Sequence, residues 1–216
     1  MIIKLKNKNI ALLLCLILLC ITSCLNITSD IKNWIEIENI EDINGKYHFL
    51  SDDGVKIYLP DTFKKYTSSE YLKLLDSLAT KKSYAFESRA VETLRDLDGN
   101  FYIYFDEAFG ITYTINTLPY FPFSKRDASQ LLGIIRMNNE KITKKEDIKF
   151  TKITAKYTGN KKQQIFRSIY KVDYPDTDLS LFSTAYIISS NGKTVMIKLS
   201  SIYDINFDPF IQKMIL

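Results

Sequence analysis

The sequence predicts an α+β fold in which one antiparallel sheet is flanked by helices on both faces. Three observations predict it. Several segments alternate apolar and polar residues with the period of two that is typical of strands. Four of the seven glycines follow Asn or Asp, the pairs that favour tight turns. Three further segments place apolar residues at helical spacing, which supplies the helices that cover the sheet.

The alternation is clearest in 111–116, 152–158 and 194–199, which we expect to be half-buried antiparallel strands. The segment 179–190 is apolar on both faces, as is typical of a central strand covered on both sides. Tight hairpin turns are predicted at four pairs of residues: Asn44-Gly45, Asp53-Gly54, Asp98-Gly99 and Asn191-Gly192.

Helices are predicted from start signals and apolar stripes. Thr67 and Glu70 have the spacing of a capping box, so a helix should follow them. A second helix is expected at roughly 84–97, a third from Ser124, and a short last one near Pro209. The element order is therefore two strands, two helices, two strands, one helix, four strands and a terminal helix.

The N-terminus has the pattern of a signal segment. Residues 1–9 are basic, and the apolar run 10–21 would reach only about 18 Å as a helix, which is short of a membrane span. The run ends in Ile21-Thr22-Ser23-Cys24, which resembles the lipobox of bacterial lipoproteins. An uncleaved membrane helix and a secreted protein cut nearby are the alternatives.

The lipoprotein resemblance implies a chain of three parts. Residues 1–23 would be a removed signal peptide, 24–45 the lipidated Cys24 and a tether, and 46–216 a single α+β domain. Two or three acyl chains, such as palmitate, on Cys24 would hold that domain on a membrane. The expected location is therefore extracytoplasmic, in the bacterial cell envelope.

The element order, together with Ile57-Tyr58-Leu59-Pro60 and Phe63, resembles the PsbP-like fold. This resemblance covers roughly 46–216 and implies an α/β/α sandwich. Members of this group mostly bind a larger partner rather than catalyse a reaction. The resemblance transfers no ligand-binding residue.

Composition and motifs exclude several kinds of chemistry. Without the three lysines of residues 1–23, the chain carries 26 basic and 25 acidic groups, so nucleic acid is not expected as a partner. All three cysteines lie in the first 24 residues, which leaves no thiol for catalysis, redox or zinc in the domain. No serine-hydrolase or phosphate-loop motif occurs, so we expect neither enzymatic activity nor a cofactor.

The remaining polar candidates have plain structural interpretations. His48, the single histidine, is expected to be structural or on the surface. Asp106 and Glu107 should point to opposite sides of a strand end, and the carboxylates at 173, 176 and 178 should crowd a solvated turn. For the basic stretch 141–152, mixed charges favour a solvated helix end over a patch for anionic lipid.

The segment 118–123 has the most unusual composition, with two prolines and three aromatic residues. Tyr120, Phe121 and Phe123 either bury their rings in the core or form an exposed surface for a partner. We expect a non-enzymatic lipoprotein that binds another envelope component. The alternatives are a module that holds a small apolar or aromatic ligand between sheet and helices, and, with less support, a hydrolase that uses carboxylates.

Overall fold

A seven-stranded antiparallel sheet forms the centre of the computed structural model, which describes residues 43–78, 81–174 and 179–216. These residues belong to one compact unit. The strands are β1 (Lys46–Leu50), β2 (Val55–Leu59), β3 (Lys64–Tyr66), β4 (Asn100–Asp106), β5 (Ile111–Leu118), β6 (Lys149–Gly159), β7 (Gln163–Tyr174), β8 (Leu179–Ser190) and β9 (Lys193–Ser201). The helices are α1 (Ser68–Leu78), α2 (Lys81–Arg95), α3 (Lys125–Glu146) and α4 (Asp208–Gln212).

The strand order is β3-β4-β5-β9-β8-β7-β6, and β1 pairs with β2 in a separate hairpin. The α+β class and the antiparallel sheet predicted from the sequence are thus confirmed. The three-residue β3 was missed, because so short a strand leaves no alternation to read.

The three longer helices all pack on one face of the sheet. The helices α1 and α2 cover β4 through an apolar cluster that includes Tyr71, Val91 and Ile103. The helix α3 covers β7 and β8 through Ala128, which packs with Phe166. Burial of such side chains contributes about 1.5–3 kcal/mol each, which holds the helices to this face.

The opposite face is covered by the β1–β2 hairpin and the C-terminal segment. The ring of Phe207 lies 5.8 Å from Tyr113 and 6.1 Å from Phe63, and Lys56 forms an antiparallel bridge with Ile215. The predicted helix layer on both faces is therefore not confirmed. On this face the only helix of the described residues is the five-residue α4, and the hairpin side chains Val55, Ile57 and Leu59 are buried.

The expectation that β5 is half-buried was wrong. Residues 111–117 are all buried, including the polar residues of the face toward the helices. The hydroxyl groups of Tyr71 and Thr112 are 2.7 Å apart, and the Asn116 amide donates to the Leu94 carbonyl at 2.6 Å. Polar side chains can lie under helices here because the helices supply hydrogen-bond partners.

Two of the four predicted hairpin turns are correct. Asp53-Gly54 joins β1 to β2, and Asn191-Gly192 joins β8 to β9, with positive φ at Gly54 and at both residues of the second pair. Asn44-Gly45 instead directly precedes β1, and Asp98-Gly99 connects α2 to β4. Gly99 has a φ of 102°, so its backbone still needs glycine, although in a helix-to-strand connection.

The predicted capping box of Thr67 and Glu70 is confirmed, and so is the predicted start of a helix at Ser124. The Glu70 amide donates to the Thr67 hydroxyl at 3.2 Å while the Thr67 amide donates to the Glu70 carboxylate at 2.8 Å. Ser124 and Asp127 form the same reciprocal box at the start of α3. These bonds satisfy amides that have no partner within the helix, so they determine where α1 and α3 begin.

Among the described strands, β6 forms one edge of the large sheet and pairs with β7 alone. It carries three exposed lysines, Lys149, Lys152 and Lys156, and its pairing register shifts between Lys152 and Thr154. Charged residues and such bulges are features that limit pairing of an edge strand with another chain.

Candidate functional site

A groove of about 670 Å³ lies between α3 and the strands β6 and β7. Its volume falls within the range of about 300–1,000 Å³ that is usual for small-molecule sites. Three apolar side chains and four cationic ones line it: Leu132, Phe150, Tyr170, Arg136, Lys144, Lys149 and Lys152. It thus combines an apolar surface with a positively charged rim.

The helix contributes one side of the groove through residues spaced three or four apart. The lining residues that follow this spacing share one stripe of α3: Ser129, Leu132, Arg136, Glu140 and Thr143. The neighbouring stripe, which includes Ala128 and Ile135, packs on the sheet and sets the rotation of the helix. Packing of the apolar stripe therefore places the polar stripe beside the sheet edge.

The strands contribute the other side. Lys152 pairs with Tyr170, and Phe150 pairs with Val172, so these residues point to the helix-covered face. Tyr170 is 8% exposed. Burial raises the pKa of its hydroxyl, and the nearby Arg136 opposes that effect. The Tyr170 hydroxyl therefore stays protonated and neutral at pH 7.

The rim has an excess of positive charge. Among the side chains that the structure describes, one carboxylate lines the groove: Glu140, which lies 3.7 Å from the Arg136 guanidinium. None of the described carboxylates lies within 4 Å of Lys144, Lys149 or Lys152. Asp173, opposite Lys149 in the β6–β7 register, binds Lys171 at 2.9 Å, and Lys149 helps to lower the pKa of the Asp173 carboxyl.

Gly133 lines the groove without a side chain. It lies in the interior of α3, where glycine costs about 1 kcal/mol relative to alanine. A Cβ atom added there would meet no heavy atom within 4 Å, so close packing does not require glycine. A larger side chain at 133 would instead occupy groove volume.

The structure separates the three aromatic residues that the sequence singled out. Phe123 is 5% exposed and packs against α3, so it belongs to the core rather than to a partner surface. Tyr120 and Phe121 remain 50% and 38% exposed. The Phe121 amide donates to the Thr194 hydroxyl at 3.0 Å, which fastens the loop to the sheet.

The other sequence candidates have structural roles. The His48 ring packs edge-on against Tyr104 at 4.9 Å, and burial lowers its pKa. Asp106 is buried and accepts the Thr62 hydroxyl at 2.6 Å, whereas Glu107 is exposed and binds Lys64 at 3.1 Å. The two carboxylates are used by separate partners, as expected for neighbours at a strand end.

Several predictions fall on residues that the structure does not describe. These are the signal peptide, Cys24, the tether up to residue 42, and the turn carboxylates Asp176 and Asp178. Within the described ranges, no group of three or more His, Cys, Asp or Glu side chains is placed to hold a metal ion. No helix of those ranges has the length and hydropathy needed to cross a bilayer.

No protein-family profile matches the chain, and no curated protein matches its sequence. Among solved structures, the chain is similar to cyanobacterial PsbP (CyanoP) from Synechocystis sp. PCC 6803, at 11% identity and a TM-score of 0.49 over 85% of this chain and 99% of that chain. It is also similar to the Ran-binding protein Mog1p of Saccharomyces cerevisiae, at 12% identity and a TM-score of 0.43 over 74% of this chain and 77% of that chain. Both TM-scores are below 0.5, so the PsbP-like fold stays a prediction from the sequence.

The groove was not found by sequence reasoning. The mixed charges of 141–152 favoured a solvated helix end, and that description fits Lys141 and Lys145, which do not line the groove. A glycine inside the otherwise regular stripe of α3 was the one local signal, because an interior glycine needs a packing or functional reason.

Proposed function

We propose that this chain is a lipid-anchored protein of the bacterial cell envelope whose domain binds a ligand and does not catalyse a reaction. The anchor part of the proposal rests on the sequence before Cys24, which has a basic start, a short apolar run and a lipobox-like ending. The domain that follows would be extracytoplasmic and would stay beside the membrane. For its fold we propose the PsbP-like type, on the element order and the segment 57–63.

The binding role rests on one observation, which is the groove between α3 and the β6–β7 strands. Among the two binding roles left open by the sequence, its volume of about 670 Å³ favours a small ligand over a purely surface-bound partner. The ligand would lie between helix and sheet, with its apolar part against Leu132 and Tyr170. We propose no catalytic residue, since the lining offers no nucleophile paired with a base.

Substitution of Cys24 tests the anchor. We expect the wild-type protein to fractionate with membranes and to carry the mass of an acyl adduct. The Cys24→Ser variant should lose the adduct and the membrane association. If that variant keeps both, the lipoprotein assignment is wrong.

Native mass spectrometry of the membrane-purified protein tests the binding role. We expect a co-purifying small molecule on the wild type and on Gly133→Ala, and none on Gly133→Trp, because the indole would fill the groove. Equal occupancy in all three proteins would place the ligand elsewhere and contradict the groove as the site.

A second candidate function is contact with a protein of the envelope through Tyr120 and Phe121. The observation that favours it is the loop's construction, in which buried Phe123 and the bond to Thr194 hold two exposed rings in place. A fixed aromatic surface loses little conformational entropy on binding. Crosslinking in cells should yield a partner that is lost in the Tyr120→Ser, Phe121→Ser double variant, and recovery of that partner by the variant would exclude the loop.

A further inference from the structure

We propose that the groove between α3 and the β6–β7 strands takes an anionic amphiphile, which is a single apolar chain that carries one carboxylate or phosphate. This inference rests on the proposed binding function and adds the chemical class of the ligand. It is argued from the distribution of charge and apolar surface around the groove.

The positive charges at the rim favour a negatively charged group on the ligand. Arg136, Lys144, Lys149 and Lys152 oppose one carboxylate, Glu140, and that carboxylate already lies beside Arg136. Lys144 and Lys152 thus remain to bind an anion, together with Lys149, which is shared with Asp173. Like charges gathered around one opening repel one another until an anion enters. Hydrogen bonds from such cations to a carboxylate or phosphate are about twice as strong as neutral ones.

The side chains in the interior of the groove favour a ligand with an apolar chain. Leu132, Phe150 and the ring of Tyr170 line it, and the Tyr170 hydroxyl is neutral because burial raises its pKa. A small inorganic anion would leave these surfaces in contact with water. A chain attached to the anion would cover them, at a gain of about 25 cal/mol for each Å² of apolar surface buried.

The glycine at 133 agrees with an elongated occupant. It leaves this part of the lining without a side chain, although the helix would be more stable with alanine there. A side chain as large as tryptophan would take up that volume.

The test is photo-crosslinking of the full chain in phosphatidylcholine nanodiscs with three diazirine probes of equal chain length, namely a C14 fatty acid, its alcohol and its amine. We expect the fatty acid to label peptides that contain the groove residues of α3 and β6. The alcohol and the amine should label them at least about tenfold less, since loss of the charge-assisted contacts weakens binding by that order. A diazirine phosphatidylglycerol included in the disc should not label these peptides.

Matched variants distinguish the effect of the lysines at the groove rim from the effect of the protein's overall charge. The pair Lys149→Gln, Lys152→Gln should reduce fatty-acid labelling about tenfold, whereas Lys145→Gln, Lys156→Gln removes the same charge outside the groove and should leave it unchanged. Gly133→Trp should block labelling by every probe, with an unaltered thermal unfolding transition as the check on its fold.

The outcomes distinguish this inference from the proposed function. Equal labelling by acid and alcohol, or stronger labelling by the amine, overturns the anionic class and leaves the groove as a binding site. Labelling by phosphatidylglycerol alone overturns the single-chain ligand. If no probe gives labelling that is lost in Gly133→Trp, both the anionic ligand class and the groove as the binding site are overturned.

Discussion

The hydroxyl of Tyr102 on β4 donates a hydrogen bond of 2.7 Å to the Asp53 carboxylate in the turn of the β1–β2 hairpin. The same carboxylate accepts the Thr117 hydroxyl at 2.7 Å and the Asn100 amide at 2.9 Å. Three donors from two strands of the large sheet thus meet one acceptor of the hairpin. These bonds fasten the hairpin to the sheet end.

Replacement of Asp53 by Asn should lower the free energy of unfolding by about 2 kcal/mol at pH 7, because bonds to a charged acceptor are lost. Burial opposes ionisation, but the bonds from Tyr102, Thr117 and Asn100 hold the pKa of Asp53 below its ordinary value of 3.8. A carboxylate with a lowered pKa stabilises the folded state above that ordinary value, and this contribution is lost as the pH falls through the folded-state pKa. Urea unfolding should therefore show the difference between wild type and variant shrinking below about pH 4.

Asp52→Asn is the matched control for this prediction. Asp52 is exposed and accepts a bond from its neighbour Ser51 alone among the described side chains. Its substitution should change stability by less than about 0.5 kcal/mol at every pH. A constant difference between wild type and Asp53→Asn from pH 7 to pH 2 would contradict the assigned role of Asp53.

The buried ion pair between Arg167 of β7 and Asp208 of α4 should be costly to break from one side. Asp208 also accepts the Tyr186 hydroxyl at 2.6 Å, and its side chain is 7% exposed. Asp208→Ala should lower the free energy of unfolding by about 3–5 kcal/mol, because it leaves the largely buried Arg167 charge without its carboxylate partner. Thermal and chemical unfolding measure this loss.

The double variant Arg167→Met, Asp208→Ala should be more stable than Asp208→Ala alone, since the stranded charge is gone. Breaking the half-exposed pair Lys171–Asp173 by Lys171→Met should cost less than about 1 kcal/mol. A double variant that is no better than the single one would show that packing, rather than charge, accounts for the loss.

Two of the glycines with free space, Gly133 and Gly110, should respond oppositely to alanine. Neither Gly133 nor Gly110 has a heavy atom within 4 Å of an added Cβ, but Gly110 has a φ of 62°. Gly133→Ala should raise the free energy of unfolding by about 0.5–1 kcal/mol, because alanine restricts the unfolded chain and favours the helix. Gly110→Ala should lower it by about 1 kcal/mol, because a left-handed backbone is strained with a side chain. Unfolding curves in which both changes have the same sign would refute this.

In the aromatic loop 118–123, the ring of Phe123 should be needed for stability, whereas the rings of Tyr120 and Phe121 should not. Phe123→Ala removes a buried ring beside α3 and should lower the free energy of unfolding by about 3 kcal/mol. Tyr120→Ala should change it by less than about 0.5 kcal/mol, because half of that side chain is already in water. Comparable losses in the two variants, measured by urea unfolding, would mean that Tyr120 is also part of the core.

Local chemistry made part of this fold predictable. The capping pair Thr67–Glu70 acts over three residues, so its pattern is visible in the sequence and the start of α1 follows from it. The turns at Asp53-Gly54 and Asn191-Gly192 are equally local. The failure at Asn44-Gly45 shows the limit, because such a pair indicates a bend without telling which elements it joins.

Long-range pairing decided what the sequence did not predict. The polar residues of β5 appeared to belong on a solvated face, but the partners that bury them, Tyr71 and Leu94, come from helices tens of residues away. The groove likewise depends on the register of Lys152 with Tyr170 and on the rotation of α3. Neither quantity can be read from a period along one segment.

The lysines and the bulge of β6 have a consequence for the lipid-anchored arrangement proposed above. Chains confined to two dimensions meet one another far more often than chains in bulk. An uncharged, regular edge strand would let neighbouring copies pair strand to strand and assemble into continuous sheets. Repulsion between identical ammonium rows, together with the kink after Lys152, opposes such growth. Crowding on the bilayer would then leave each copy separate, with its β6 border facing water.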